Sequence, residues 1–204
     1  KKVNAPIHIA HLSCKESVDL IARAKKQGLK VTGETAPHYF SLRQECCKTY
    51  DTNTKMNPPL RTKEDVEAIK AGLAKGIIEV IASDHAPHTE AEKDVEFDFA
   101  AFGIIGLETM LSLSFMELVD KKIISLSKLV EKLSLNPARI LGINKGTLSA
   151  GGEADITIFD PAKEWVFKKE EILSKSKNSP FIGWSLKGKV TSTIYNGEIV
   201  YQAE

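Results

Sequence analysis

The stretch Ile81–His88 reads IASDHAPH and follows directly on the β-branched run IIEVI at residues 77–81. A run of this composition predicts a buried strand, and Pro87 prevents the strand from continuing. Asp84 and two histidines then stand together at the carboxyl end of that strand. Because buried ionisable groups must be paired or bind metal, such a cluster in an α/β protein predicts a chemical site. The alternative is an ordinary loop in which Asp84 caps a turn.

Two further strand candidates, Ile7–Leu12 and Leu29–Thr35, precede this stretch. Capping-box pairs predict a helix start after each of them, Ser13 with Glu16 and, beyond a loop, Thr62 with Asp65. This alternation predicts parallel strands joined by helical crossovers, whose carboxyl ends meet at one face. The candidate chemical residues all stand just past a strand end on that face: His11, His38, Asp84 and His88.

In the second half of the chain the predicted secondary structure changes from helices to short β-strands. A charged surface loop is predicted at residues 90–99. The predicted helices are Gly103–Val119, Leu126–Leu135 and a short one from Asn136 to Gly142. Short strands are predicted at Ala154–Phe159, Trp165–Phe167, Lys189–Tyr195 and Glu198–Tyr201, with a hairpin at Asn196-Gly197.

Composition limits the partners of this chain of 204 residues. A formal net charge of +1 gives no reason to expect nucleic acid or an anionic membrane as a partner. No apolar run is long enough to span a bilayer. The three cysteines form no CxxC pair, which favours a structural role and a reducing, cytoplasmic location.

Several motifs together resemble one family, the bacterial-type dihydroorotases of the amidohydrolase superfamily. The motifs occur in the order, and at about the spacing, found in that family: HIAHLSCKESV at 8–18, GETAPHYFSL at 33–42, KMNPPLR at 55–61, ASDHAPH at 82–88 and AFGIIGLET at 101–109. The tail motifs GTLSAGGEADITIFDP at 146–161 and NSPFIGWSLKGKV at 178–190 also resemble the family's C-terminal β region.

The resemblance implies an α/β fold of the C-terminal part of a TIM-like (β/α)8 hydrolase barrel, plus a small β-sandwich-like region. Residues 1–146 are then the last three strand–helix units with the helices that follow them, and residues 147–204 are the small β region. The implied reaction is the reversible hydrolysis of L-dihydroorotate to N-carbamoyl-L-aspartate in pyrimidine (UMP) synthesis. One or two zinc ions are the implied cofactor.

The resemblance also assigns roles to the metal side of the site. Asp84 matches the aspartate that ligates metal and acts as general acid/base, and His11 matches a histidine metal ligand. His8 is the rival of His11. An odd spacing places two residues on opposite faces of a strand, so only one of these histidines is expected to face the barrel interior. His38 is expected to line or support the site, and His85 receives no role.

The substrate side of the site matches further positions. His88 matches a residue that holds the substrate carboxylate, and Asn57, flanked by two prolines, matches another substrate contact. Phe102 and Gly103 match a place where main-chain groups contact the pyrimidine ring. For Gly103, a close backbone approach at a helix start explains the residue almost as well.

The family's remaining metal ligands, among them an HxH pair, do not occur in this chain. We therefore expect the chain to be the C-terminal part of a dihydroorotase, completed by an N-terminal barrel segment and inactive alone. A homo-oligomer or a complex with a transcarbamoylase is also expected. Two alternatives stay open: a non-catalytic dihydroorotase-like subunit, and a hydantoinase- or allantoinase-type cyclic amidohydrolase.

Overall fold

A parallel sheet of three strands forms the first half of the computed structural model, which describes residues 5–203. The strands are β1 (Ile7–Ile9), β2 (Val31–Thr35) and β3 (Val80–Ile81), and they lie side by side in chain order. Helix α1 (Lys15–Lys26) connects β1 to β2. The predicted alternation of strands and helices, and with it the α/β class, is confirmed.

The outer edge of β1 is open within the part of the chain that the structure describes. Ile7 pairs with Val31 on the β2 side, but no strand of residues 5–203 pairs with the other side of β1. Ile7 and Ile9 are 56% and 39% exposed. Unpaired backbone groups beside exposed isoleucines form an edge that another strand could extend.

Helix α3 (Lys63–Ala74) begins as the sequence predicts. The Thr62 hydroxyl accepts from the main-chain N–H of Asp65, and the Asp65 carboxylate accepts from the main-chain N–H of Thr62. Helix α1 begins differently, because Asp65 also accepts from the Lys15 N–H at 2.9 Å. The predicted capping box of Ser13 is therefore wrong, and a neighbouring helix supplies the cap.

Two predictions after β3 are wrong. The predicted surface loop at 90–99 contains helix α4 (Glu90–Lys93), which a Thr89–Glu92 capping box starts and in which Lys93 is buried. The helix predicted from Gly103 begins only at Met110, because Ile104 forms a parallel bridge with His85 in the segment after β3. The remaining helical elements are α2 (His38–Ser41), α5 (Met110–Ser114), π-helical turns at Phe115–Asp120 and Glu131–Leu135, α6 (Leu126–Val130), α7 (Asn136–Leu141), and 3-10 turns at Gln44–Thr49, Thr52–Thr54 and Lys169–Glu171.

The tail forms a separate antiparallel sheet in the order β4 (Ile156–Val166), β5 (Ser185–Tyr195) and β6 (Glu198–Gln202). The two strands predicted between residues 154 and 167 are one strand, whose register shifts around Asp160. The predicted hairpin is confirmed: Asn196 and Gly197 both have positive φ, 50° and 82°, as a tight antiparallel turn requires.

Two apolar cores hold these elements together, and both include residues from the tail. The first lies between the parallel sheet and its helices, and Phe159 of β4 packs against it. The second joins the loops at the strand ends to Phe167, Phe181 and Leu186. Each fully buried aromatic or aliphatic side chain contributes roughly 1.5–3 kcal/mol. Within residues 5–203, no helix combines the length and apolarity of a membrane span.

Candidate active site

The candidate site begins at the carboxyl ends of β1 and β3. Just after each of these strands, one residue has a left-handed backbone conformation. His11 has φ 58° and Asp84 has φ 48°. Non-glycine residues with positive φ are uncommon, and such backbone strain concentrates at functional sites. The two turns bring His11 Nε2 to 3.9 Å from Asp84 Oδ1. The structure therefore joins the two predicted metal ligands.

A bulge after β1 changes the direction of His11. Ile9 is the last residue of β1 in register, yet the Leu12 N–H donates to the Glu34 carbonyl at 2.9 Å, so the residues between them loop out of the ladder. As a result His8 Nε2 lies 3.1 Å and His11 Nδ1 lies 3.6 Å from the Glu34 carboxylate. The expectation that His8 and His11 point to opposite faces is wrong, because strand alternation does not continue through a bulge.

Glu34 is the acidic residue that the sequence reasoning missed. It stands within the GETAPHYFSL motif, one residue before the end of β2, and its side chain is 17% exposed. His8 is held beside it by a second hydrogen bond, between the imidazole Nδ1 and the Thr32 hydroxyl at 2.8 Å. An acidic residue at the carboxyl end of a parallel strand was the available signal.

His38 lies against Asp84, as expected of a residue that supports the site. Its side chain is 2% exposed, and Nε2 lies 3.5 Å from Asp84 Oδ2 without a hydrogen-bond partner. Burial, together with the nearby His11, lowers the pKa of His38 to about 3. The imidazole is therefore neutral at physiological pH.

Burial raises the pKa of the Asp84 carboxyl. His11 opposes this shift, and the negative charge of Glu34 adds to it. Burial and the nearby Asp84 carboxylate also raise the pKa of Tyr39, whose ring contacts His38. A carboxylate whose pKa rises toward neutrality is better suited to taking up and returning a proton.

His11 and Asp84 fit part of a metal site. Zinc binds imidazole nitrogen and carboxylate oxygen at about 2.0–2.2 Å, so two ligand atoms 3.9 Å apart can reach one ion. A catalytic zinc normally has three protein ligands. In the described range 5–203, no group of three or more His, Cys, Asp or Glu side chains could hold an ion. These two residues would therefore provide only part of a ligand set.

A second group of candidate residues surrounds His88. Its ring Nε2 donates to the Phe102 carbonyl at 2.9 Å, and Nδ1 lies 3.8 Å from the Glu92 carboxylate. The Gly103 N–H donates to the Lys55 carbonyl at 2.8 Å, which ties this group to the KMNPPLR loop. Three of the predicted substrate contacts, His88, Phe102 and Gly103, are therefore neighbours.

Gly103 occupies a position that only glycine fits without strain. Its φ is 97°, and a Cβ atom added there would lie 2.7 Å from Cβ of Ala86. The close backbone approach considered for Gly103 is thus present. Lys93 fixes the same turn from the other side, since its ammonium donates to the Ala101 and Gly103 carbonyls at 2.7 and 3.2 Å.

Asn57 is exposed, and its neighbour connects it to the metal side of the site. The Asn57-Pro58 peptide is cis, and the Tyr39 hydroxyl donates to the Pro58 carbonyl at 2.9 Å. Asn57 therefore stands on a loop held at one point by Tyr39, beside Asp84, and at another by Gly103.

His85 has a defined contact, although the sequence suggested none. Its Nδ1 accepts from the main-chain N–H groups of Gly106 and Leu107 at 3.1 and 3.4 Å. A parallel bridge between His85 and Ile104 adds to this attachment. His85 thus fastens the end of β3 to the segment that carries Phe102 and Gly103.

Known proteins of one family match almost the entire chain. The family model described as "Amidohydrolase family" matches residues 5–200. Curated proteins named "Dihydroorotase" are similar: that of Geobacter sp. (strain M21) is 55% identical over 98% of this chain, and that of Endomicrobium trichonymphae is 58% identical over 96%. The chain spans about half the length of these relatives, 47% of each.

Solved structures of related enzymes share the fold. The dihydropyrimidinase from Brevibacillus agri NCHU1002 superimposes with a TM-score of 0.92 at 30% identity, over 98% of this chain and 45% of its own. The L-hydantoinase from Arthrobacter aurescens gives a TM-score of 0.92 at 29% identity, over 98% of this chain and 46% of its own.

Proposed function

Because the chain belongs to the amidohydrolase family, we propose that it carries part of the active site of a dihydroorotase. The reaction is the reversible hydrolysis of L-dihydroorotate to N-carbamoyl-L-aspartate. The observation that carries this proposal is the 55–58% identity to curated dihydroorotases across nearly the entire chain. The approach of His11 to Asp84 at the strand ends supports it independently.

His11 and Asp84 would hold the metal ion, which we propose to be zinc. A bound zinc ion supplies a Lewis acid for the scissile carbonyl and lowers the pKa of water. Glu34 orients His11 through Nδ1 and so leaves Nε2 to face Asp84. Contacts of this kind around a ligand fix its tautomer and ring direction.

Asp84 would move the proton of the reaction. In the hydrolytic direction a water oxygen bonds to the ring carbonyl carbon, and the carbon–nitrogen bond of the ring amide breaks. The Asp84 carboxylate takes the proton from the water and returns it to the leaving nitrogen. The burial that raises the pKa of Asp84 makes its carboxylate a stronger base for the first of these two transfers.

The substrate would lie between the two groups of residues. Its carboxylate is anionic, and His88 provides an imidazole N–H donor. In the free chain this donor bonds the Phe102 carbonyl, so the substrate carboxylate would replace that carbonyl as the acceptor. The main chain at Phe102 and Gly103 would contact the ring, and the Asn57 amide would contact the substrate from the loop opposite.

The remaining ligands would come from residues outside this chain. Two ligands are fewer than a catalytic zinc requires. The open edge of β1, with Ile7 and Ile9 exposed, is suited to receiving the neighbouring strand of a closed (β/α)8 barrel. The single antiparallel sheet of β4–β6 would likewise become part of a β-sandwich. The chain alone is therefore expected to be inactive.

Two other functions make different predictions. A hydantoinase is favoured by the folds of the structural neighbours, although their identity of 29–30% is well below that of the dihydroorotases. A non-catalytic subunit would have no need of the left-handed backbone that brings His11 and Asp84 to 3.9 Å from each other.

The test is turnover by the full-length protein that contains this chain, with its zinc content measured alongside. We expect hydrolysis of dihydroorotate and little hydrolysis of hydantoin. Preference for hydantoin would establish a hydantoinase. Zinc-loaded protein without activity on either amide would establish a non-catalytic subunit.

A further inference from the structure

Asn178 connects the tail of the chain to the candidate substrate site. It is 6% exposed and lies in the loop between Glu171 and β5, far along the chain from His88. We propose that Asn178 is a positioning residue, which sets the relative placement of His88 and Gly103 for binding of the substrate carboxylate and ring. This inference rests on the proposed function and deepens it.

The contacts of Asn178 span two separate segments. Its Oδ1 accepts from the His88 main-chain N–H at 3.2 Å. Its Nδ2 donates to the Ala86 carbonyl at 2.9 Å and to the Gly103 carbonyl at 3.3 Å. Its main-chain carbonyl accepts from the Ile105 N–H at 3.0 Å. One residue therefore bonds the segment after β3 and the segment before α5.

A side-chain amide is the group that this position needs. Oδ1 is an acceptor and Nδ2 provides two donors, so a single planar group satisfies the His88 N–H and two carbonyls together. A carboxylate would keep the first bond and lose the donors. An apolar side chain would lose all three and leave buried main-chain groups unpaired.

The loop that carries Asn178 is itself firmly packed. Phe181 is 1% exposed and belongs to the second core with Phe167, and its N–H donates to the Ser179 hydroxyl at 3.3 Å. Ser179 is also buried. The tail thus offers a rigid support on which Asn178 can hold the more open turn at Phe102.

Asn178 affects substrate binding through the position of His88. Its ring already donates to the Phe102 carbonyl, and its main chain is held only a few atoms away by Asn178. Without Asn178, the His88 ring and the Gly103 turn can shift independently. Displacements of about 1 Å in positioning groups are costly to enzymes. Because neither group moves a proton in the proposed reaction, the loss should fall on substrate binding.

The test compares Asn178→Ala with Asn136→Ala in the full-length protein. Asn136 is the matched control, since its Nδ2 also donates to a main-chain carbonyl, that of Glu79 at 3.0 Å, at the opposite end of β3. For Asn178→Ala we expect KM for dihydroorotate to rise about tenfold, with kcat within about threefold of wild type and the zinc content unchanged. For Asn136→Ala we expect wild-type KM.

Equal KM values in the two alanine variants would overturn the positioning role and leave the proposed function intact. If Asn178→Ala does not fold, Asn178→Asp decides: it keeps the size and the bond to His88 but lacks the donors. A raised KM with retained kcat in that variant supports the role, and wild-type KM overturns it. A wild-type protein without activity on dihydroorotate would refute the proposed function itself.

Discussion

His11 Nε2 lies 3.9 Å from Asp84 Oδ1, and each residue adopts a left-handed backbone conformation just after its strand. The strands β1 and β3 are not neighbours, because β2 lies between them. Ordinary strand continuation would carry the two side chains onward along the sheet. The two turns instead direct both side chains across the end of β2, where Glu34 faces His11.

Glu34 should control metal binding through His11. We expect Glu34→Gln, which removes the charge and keeps the size, to weaken zinc affinity about 10- to 100-fold. Chelator competition with the full-length protein measures this. The control is Glu67→Gln on an exposed position of α3, for which no change is expected. Equal zinc affinity in the two variants would show that Glu34 does not act on the metal.

His85 should serve as a hydrogen-bond acceptor. His85→Asn places an amide oxygen near the position of Nδ1 and can still accept from Gly106 and Leu107. His85→Leu leaves these N–H groups unpaired, at a cost of about 1–3 kcal/mol. Thermal unfolding should therefore show a lower melting temperature for the leucine variant and a value close to wild type for the asparagine variant. If both variants melt alike, the acceptor role is wrong.

Lys132 should make the free energy of unfolding increase with pH in the alkaline range. Burial lowers the pKa of Lys132 from 10.5 to about 8, and its ammonium donates to the Ile78 carbonyl at 2.6 Å. Between these pH values the unfolded chain holds a proton that the folded chain has released. The group therefore makes the free energy of unfolding rise with pH, by on the order of 2–3 kcal/mol.

Lys132→Met should remove that rise. The control is Lys163→Met, which alters an exposed lysine in β4 and should leave the pH dependence unchanged. Denaturant unfolding of the full-length protein at pH 7.5 and pH 10 supplies the comparison. A rise in Lys132→Met as large as that in wild type would contradict the assignment.

The sequence predicted the framework of the site because the framework follows from periodic patterns. The apolar run before Asp84, the crossover helices and the Asn196-Gly197 hairpin each depend on local residue preferences, and each is present. The carboxyl ends of parallel strands lie at one face by topology, which predicted that His11 and Asp84 stand on the same face. Their shared role as metal ligands was predicted from the resemblance to dihydroorotases.

The parts that could not be predicted depend on contacts between distant segments. The bulge that turns His11 toward Glu34 breaks the alternation on which the assignment of faces to His8 and His11 relied. The late start of α5 also results from a contact between distant segments, since Ile104 pairs with His85 and does not enter a helix. No local sequence pattern at Asn178 predicts its hydrogen bond to His88.

The most direct test of the account is dihydroorotate hydrolysis by Asp84→Asn in the full-length protein. Loss of the proton carrier should lower kcat/KM about 10²- to 10⁴-fold. Asp160→Asn is the matched control, because Asp160 is an exposed carboxylate in β4 that accepts from the nearby Ala162 N–H at 2.8 Å. The account predicts wild-type activity for that control and near-complete loss for Asp84→Asn. Wild-type activity in Asp84→Asn would contradict it.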